Sequence, residues 1–137
     1  MGDDVGPEVI AMLATRRVHT TLPTPDPDAL RPFYEQVLGF TPRAIVPGAV
    51  VYDAGAGSVF AISRTGQRSS GNHTQMAFTV PDVDAEVAEL KARGVVFEEY
   101  ESPRTEGGIA RIGAGRAAWF KDPDGNLLAV LQFDDEV

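Results

Sequence analysis

Leu22-Pro23-Thr24-Pro25-Asp26-Pro27-Asp28-Ala29 and Phe78-Thr79-Val80-Pro81-Asp82-Val83-Asp84-Ala85 are one phrase written twice, 56 residues apart. Each starts on an apolar residue and continues, three positions on, as Pro-Asp-x-Asp-Ala. A second echo follows: Val51-Tyr52 and Gly57-Ser58-Val59-Phe60-Ala61-Ile62 match Trp119-Phe120 and Gly125-Asn126-Leu127-Leu128-Ala129-Val130 at a spacing of 68. Duplication on this scale indicates two copies of one supersecondary unit, arranged so that equivalent residues surround a central cleft.

The chain has 137 residues, so each copy alone is too short to bury a good core and the two are expected to fold as one unit. The reading divides the chain into an N-terminal extension, 1–15, and a single domain, 16–134, with module one over 16–65 and module two over 73–134. No apolar run reaches the roughly 18 residues of a membrane helix. The acidic start Met1-Gly2-Asp3-Asp4 and the absence of cysteine point to a cytoplasmic protein without disulfides or thiolate chemistry. A net charge of −8, with no run among its 12 basic residues, excludes nucleic acid as the expected partner. The charge serves solubility first and only mildly favours a cationic ligand.

Val9, Ile10 and Leu13 have helical spacing in the extension. Val18–Thr24 alternates as a strand. Asp26 or Asp28 can cap a helix whose apolar stripe is Leu30, Phe33, Tyr34, Val37 and Leu38, with Gly39 ending it and Pro32 making its first turn irregular. Strands are expected near Phe40–Ile45, Ala49–Asp53 and Ser58–Ser63, separated by Pro47-Gly48 and Gly55-Ala56-Gly57. The second copy repeats this as His73–Val80, a helix from Asp84 to Arg93 stopped by Gly94, then Val95–Glu101, Ala117–Lys121 and Leu127–Phe133. A glycine-rich loop, Ser102–Gly115, separates the second and third of these strands. The fold class is therefore α+β: two βαβββ modules forming a cupped mixed sheet around a cleft.

Phe33-Tyr34-Glu35-Gln36-Val37-Leu38-Gly39-Phe40, Asp82, Leu90-Lys91-Ala92-Arg93-Gly94-Val95 and Lys121-Asp122-Pro123-Asp124-Gly125-Asn126 resemble the vicinal oxygen chelate superfamily, which includes glyoxalase I, extradiol dioxygenases, and fosfomycin and bleomycin resistance proteins. The resemblance covers about residues 16 to 134. It implies the paired-module fold, a homodimer, and in the enzymes a divalent metal held by the first and last strands of each copy. Mapped here, those positions are His19, Gln75, Ala61 and Ala129, where the DPDGN-x-x-E pattern of the family would place a glutamate at position 129. One imidazole and one amide are a poor donor set for a divalent cation. No metal or other cofactor is expected, the alternative being one divalent ion on His19 and Gln75, to which His73 could add a second imidazole.

Strand alternation puts Val18, Leu22, Phe60, Ile62, Met76, Phe78, Leu128 and Val130 against the helices. The opposite face carries the candidate ligand-binding cleft: His19, Thr21, Ala61, Ser63, Gln75, Ala77, Ala129 and Leu131, together with Val59, Thr79, Leu127 and Phe133. Its small and apolar side chains suit an organic molecule. Glu98, Glu99, Glu101 and Tyr100 read as a solvated stretch, Tyr34 as core, Trp119 and Tyr52 as candidates for stacking, and Asp122–Asn126 as a turn. Gly107-Gly108 and Gly113-x-Gly115 lack the strand-to-helix setting of a phosphate loop. The favoured function is sequestration of a small, cationic organic compound. The rival is a metal-dependent lyase, isomerase or dioxygenase using His19, so the sequence leaves open whether the protein is an enzyme.

Overall fold

A computed structural model of the protein describes residues 13–66, 68 and 71–135. Of the apolar positions in the extension, Val9 and Ile10 lie outside the described residues, while Leu13–Thr15 form one 3-10 turn. The first module runs β1 (Thr20–Thr24), α1 (Pro27–Pro32), a π turn (Phe33–Val37), β2 (Pro42–Val46), β3 (Ala49–Asp53) and β4 (Val59–Arg64). The second runs β5 (Thr74–Thr79), α2 (Val83–Ala92), β6 (Thr105–Glu106), β7 (Ile109–Ile112), β8 (Gly115–Lys121) and β9 (Leu127–Phe133).

The repeated phrase is the helix start signal in both copies. Asp26 accepts hydrogen bonds from the Asp28 and Ala29 amides at 3.1 and 3.4 Å, with Pro27 at the first helical position where its missing N–H costs nothing. Asp82 accepts from the Ala85 amide at 3.1 Å. Proline acts just past α1. Pro32 cannot donate back to the preceding turn, and the chain widens after it into the π turn, in which the Leu38 amide donates to the Phe33 carbonyl at 2.9 Å. The irregularity therefore follows Pro32 rather than preceding it. Gly39 (φ 85°) and Gly94 (φ 96°) end the two helical segments in the left-handed region. Arg93 joins those ends by donating to the Val37 carbonyl at 3.3 Å.

Each module forms its own sheet, in the orders β1-β4-β3-β2 and β5-β9-β8-β7-β6. Within each, the first strand lies parallel to the last (β1 with β4, β5 with β9) and the other pairings are antiparallel. β1 and β5 approach each other at the seam between modules. The helix-facing residues of both sheets merge into one core containing Leu22, Phe60, Ile62, Met76, Leu128 and Val130. Aromatic contacts cross the seam: Phe40 stacks on Phe78 with centroids 5.5 Å apart, and Phe33 lies 6.4 Å from Phe120. Val18, expected in this core, is 89% exposed, because β1 begins only at Thr20 and no neighbouring strand covers the residue.

A second difference concerns Val95–Glu101. It is not a strand: only Phe97 and Glu101 form isolated bridges, to Phe120 and Arg104. The Phe97–Phe120 bridge repeats the Pro42–Tyr52 pairing of the first module. Beyond it, the residues that raise the repeat spacing from 56 to 68 leave the sheet and return as the β6–β7 hairpin, turning at Gly107 (φ 59°) and Gly108 (φ 87°). The edge expected from 95–101 is thus shared between Phe97 and β7, and the glycine-rich stretch is partly strand.

Candidate functional site

The predicted cleft residues fall into two groups flanking the seam. Thr21 pairs with Ala61 and Pro23 with Ser63 across β1 and β4; Ala77 pairs with Ala129 and Thr79 with Leu131 across β5 and β9. None of Thr21, Ala61, Ser63, Ala77, Ala129 or Leu131 belongs to the helix-side core cluster. His19, Thr21 and Ala77 are exposed, whereas Ala61 and Ala129 are 7% and 1% exposed. Ala129 lies directly across from Trp119 in the β8–β9 ladder.

Gln75 is committed elsewhere. Its Nε2 donates to Asn126 Oδ1 at 2.9 Å and its Oε1 accepts from the Leu127 amide at 3.1 Å, where the β5–β9 register shifts. To hold a metal through Oε1 it would have to share that oxygen with the Leu127 amide. His19 stands just before β1, and among the described residues no three His, Cys, Asp or Glu side chains converge as a metal cluster.

Asn126 leads into a buried network that explains the Asp122–Asn126 segment. The Asp122 carboxylate, 4% exposed, accepts from Tyr34 Oη at 2.8 Å, Asn126 Nδ2 at 2.7 Å, and the Asp124 and Asn126 amides at 2.8 and 3.0 Å. Asn126 Nδ2 also donates to the Pro23 carbonyl at 3.0 Å, and Thr24 Oγ1 to Asp124 Oδ2 at 2.6 Å. The acidic turn therefore staples β1 and the first helical segment to the second sheet. Its acceptors are used internally.

Burial, then the nearby Asp122 charge, pushes the Tyr34 hydroxyl far above the ordinary tyrosine range, and burial followed by the Glu35 hydrogen bond raises Tyr52. A neutral phenol favoured in the fold keeps its full contribution below the unfolded value near 10 and loses it as pH rises past that point. Tyr34 alone should then lower stability by about 1.4 kcal/mol per pH unit above roughly pH 10. Urea titrations at pH 8 to 11.5 measure this. Tyr34→Phe should remove that share of the slope, leave the share of Tyr52, and cost about 1–3 kcal/mol at neutral pH by depriving Asp122 of a donor. An unchanged slope would overturn the assignment.

Beside the predicted cleft, at the start of β5 and β9, lies a cavity of about 430 Å³. Thr74, Leu127 and Trp119 line it from the sheet, Tyr100, Ser102 and Pro103 from the segment leading into the β6–β7 hairpin. Trp119 is oriented by its Nε1, which donates to Thr74 Oγ1 at 3.1 Å, and by Tyr100, edge-on at a centroid distance of 5.6 Å. The hairpin fixes Tyr100 in turn. Thr105 Oγ1 accepts from the Tyr100 amide at 2.7 Å and donates to Glu99 Oε1 at 2.6 Å, and Glu99 also accepts from the Gly108 amide at 3.0 Å. These bonds, the Thr105 hydroxyl first, hold the Glu99 carboxyl below its usual range. Burial, then the Glu98 charge, raises the Tyr100 hydroxyl.

Sequence reasoning singled out Trp119 but left Tyr100 and Glu98 in a solvated stretch and missed Thr74, Ser102 and Pro103. The signal that could have found all but Thr74 is the longer spacing of the second echo: extra residues in only one copy must project from the shared framework.

A family model described as the Glyoxalase/Bleomycin resistance protein/Dioxygenase superfamily matches residues 16–130. Similar solved structures include an antibiotic binding protein from a Streptomyces species, 24% identical with a TM-score of 0.64 over 90% of this chain and 100% of that one. A glyoxalase/bleomycin resistance protein/dioxygenase from Alicyclobacillus acidocaldarius is 19% identical (TM-score 0.68, 88% and 93% covered), and a lactoylglutathione lyase from Agrobacterium tumefaciens is 21% identical (TM-score 0.63, 86% and 93% covered). No curated protein matches. At these identities the structures establish a shared fold, and with the family match across most of its length the chain belongs to the glyoxalase/bleomycin resistance protein/dioxygenase superfamily.

Proposed function

We propose that this protein binds a small, positively charged organic molecule in the cavity over Trp119 and sequesters it without a catalytic metal. One observation carries the reading: a cavity within the size range of small-molecule sites has the protein's only tryptophan and a second aromatic ring held edge-on, with the Glu98 carboxylate at its wall. An aromatic face next to a carboxylate attracts a cation twice, through the ring quadrupole and through charge. The overall charge of −8 works in the same direction, and a relative of similar fold is an antibiotic binding protein. The same reading has the protein as a cytoplasmic homodimer, supported by the exposed Ile45 and Val46 on the outer strand β2.

The rival reading, a metal-dependent lyase, isomerase or dioxygenase using His19, draws support from the lyase of similar fold. Its difficulty is the donor set, since Gln75 is bonded into the β9 backbone and alanines stand at positions 61 and 129. Elemental analysis and ligand screening by thermal shift separate the two. The expected result is no stoichiometric divalent metal, stabilisation by aromatic cations, and a loss of at least tenfold in their affinity on Trp119→Ala. Near one equivalent of Zn, Ni, Mn or Fe that disappears on His19→Ala would favour the enzyme.

A further inference from the structure

Glu98 is not the sole charge at this cavity. Lys121 lines it too, on the same face of β8 as Trp119 and two residues further along. The Phe97–Phe120 bridge and the bond from the Glu98 amide to the Trp119 carbonyl (2.8 Å) fix the register, so Glu98 stands directly across from Trp119 and diagonally from Lys121. Diagonal neighbours of this kind are about 7–8 Å apart, a span that two long side chains can bridge, yet Glu98 and Lys121 do not pair with each other. Among the described residues neither the Glu98 carboxylate nor the Lys121 ammonium has a hydrogen-bond or ion-pair partner. Most of the arginines fare differently: Arg31, Arg43, Arg68, Arg93, Arg104, Arg111 and Arg116 each face a carboxylate. Two opposite charges left unpaired at the rim of one aromatic cavity are placed to meet opposite charges on one guest.

We infer that the ligand is an aromatic zwitterion: a ring lying against Trp119 and Tyr100, with a cationic group toward Glu98 and an anionic group toward Lys121. The inference rests on the proposed binding function and adds the second charge. A guest with a cation alone would bury the Lys121 side of the cavity against a like charge. A guest with both groups gives each of the two side chains an opposite charge.

The test uses three probes that share one ring: 4-(aminomethyl)benzoate, benzylammonium and 4-methylbenzoate. Trp119 is the only tryptophan, so the indole N–H resonance of the intact protein reports this cavity alone. Titration should move that resonance with all three, with the zwitterion about fivefold tighter than either singly charged probe, the upper range for a surface ion pair. Glu98→Gln should bring the zwitterion to the affinity of 4-methylbenzoate, and Lys121→Gln to that of benzylammonium, while neither variant changes the melting temperature of the free protein. If benzylammonium binds as tightly as the zwitterion and Lys121→Gln changes nothing, the second charge is overturned and the binding function stands. If no probe moves the indole signal, the cavity reading itself fails, and the zwitterion falls with it.

Discussion

Asp122→Ala is expected to lower stability by about 3–5 kcal/mol, the range for breaking a buried charged network by removing one member. The carboxylate is the common acceptor of four donors from three residues, Tyr34, Asp124 and Asn126. Alanine leaves the buried Tyr34 hydroxyl and Asn126 amide without their acceptor, at positions that are 0% exposed and that water reaches poorly. Damage should spread toward the cavity, because Asn126 holds Gln75, and Gln75 in turn holds the Leu127 amide at the start of β9. Asp122→Asn, which keeps one acceptor oxygen and turns an amide toward the donors, should cost less, about 1–3 kcal/mol. Urea unfolding followed by circular dichroism checks both. A loss below about 1 kcal/mol for the alanine variant would mean that the turn is held by its backbone alone.

Gly115→Ala should cost more than about 3 kcal/mol, for a steric reason. Gly115 opens β8 opposite Phe133, and a Cβ there would overlap the backbone carbonyl of Gln132 and approach the Phe133 Cα to 3.0 Å. Those are strand atoms in the β8–β9 ladder and cannot step aside as a side chain would. Backbone preference is not the cause, since Gly115 is not among the glycines of positive φ. Gly55→Ala is the control: a Cβ there meets nothing within 4 Å, and the change should lie within about 0.5 kcal/mol. Thermal unfolding of the pair gives the comparison. Equal melting temperatures would show that the ladder opens at Gly115 without loss.

The duplicated phrase was legible because its aspartates do local work. Asp26 and Asp82 cap their helices through bonds to amides two or three residues away, and such contacts can be read from spacing. Alternation likewise placed Leu22, Phe60, Ile62, Met76, Leu128 and Val130 in the core, because side chains on a strand must point to opposite faces. The family followed from the repeat and its turn motif.

Other features needed the tertiary structure. No spacing shows that Gln75 bonds Asn126 and the Leu127 amide, since those partners lie about fifty positions away and the pairing depends on a local shift in the β5–β9 register. The extent of Val95–Glu101 as a strand was decided by competition for one edge of β8, which Phe97 takes at Phe120 and β7 takes over 115–118. Tyr100 and Glu98 look like a solvated stretch in sequence because nothing local distinguishes a side chain facing water from one facing a cavity. Their position beside Trp119 arises when the hairpin ties Tyr100 down through Thr105 and Glu99. The sequence by itself determined the repeat, the helix caps and the buried faces, all set by interactions within a few residues. Tertiary structure alone decided which polar groups are spent on holding the fold and which are left facing the cavity, because that depends on partners brought together by folding.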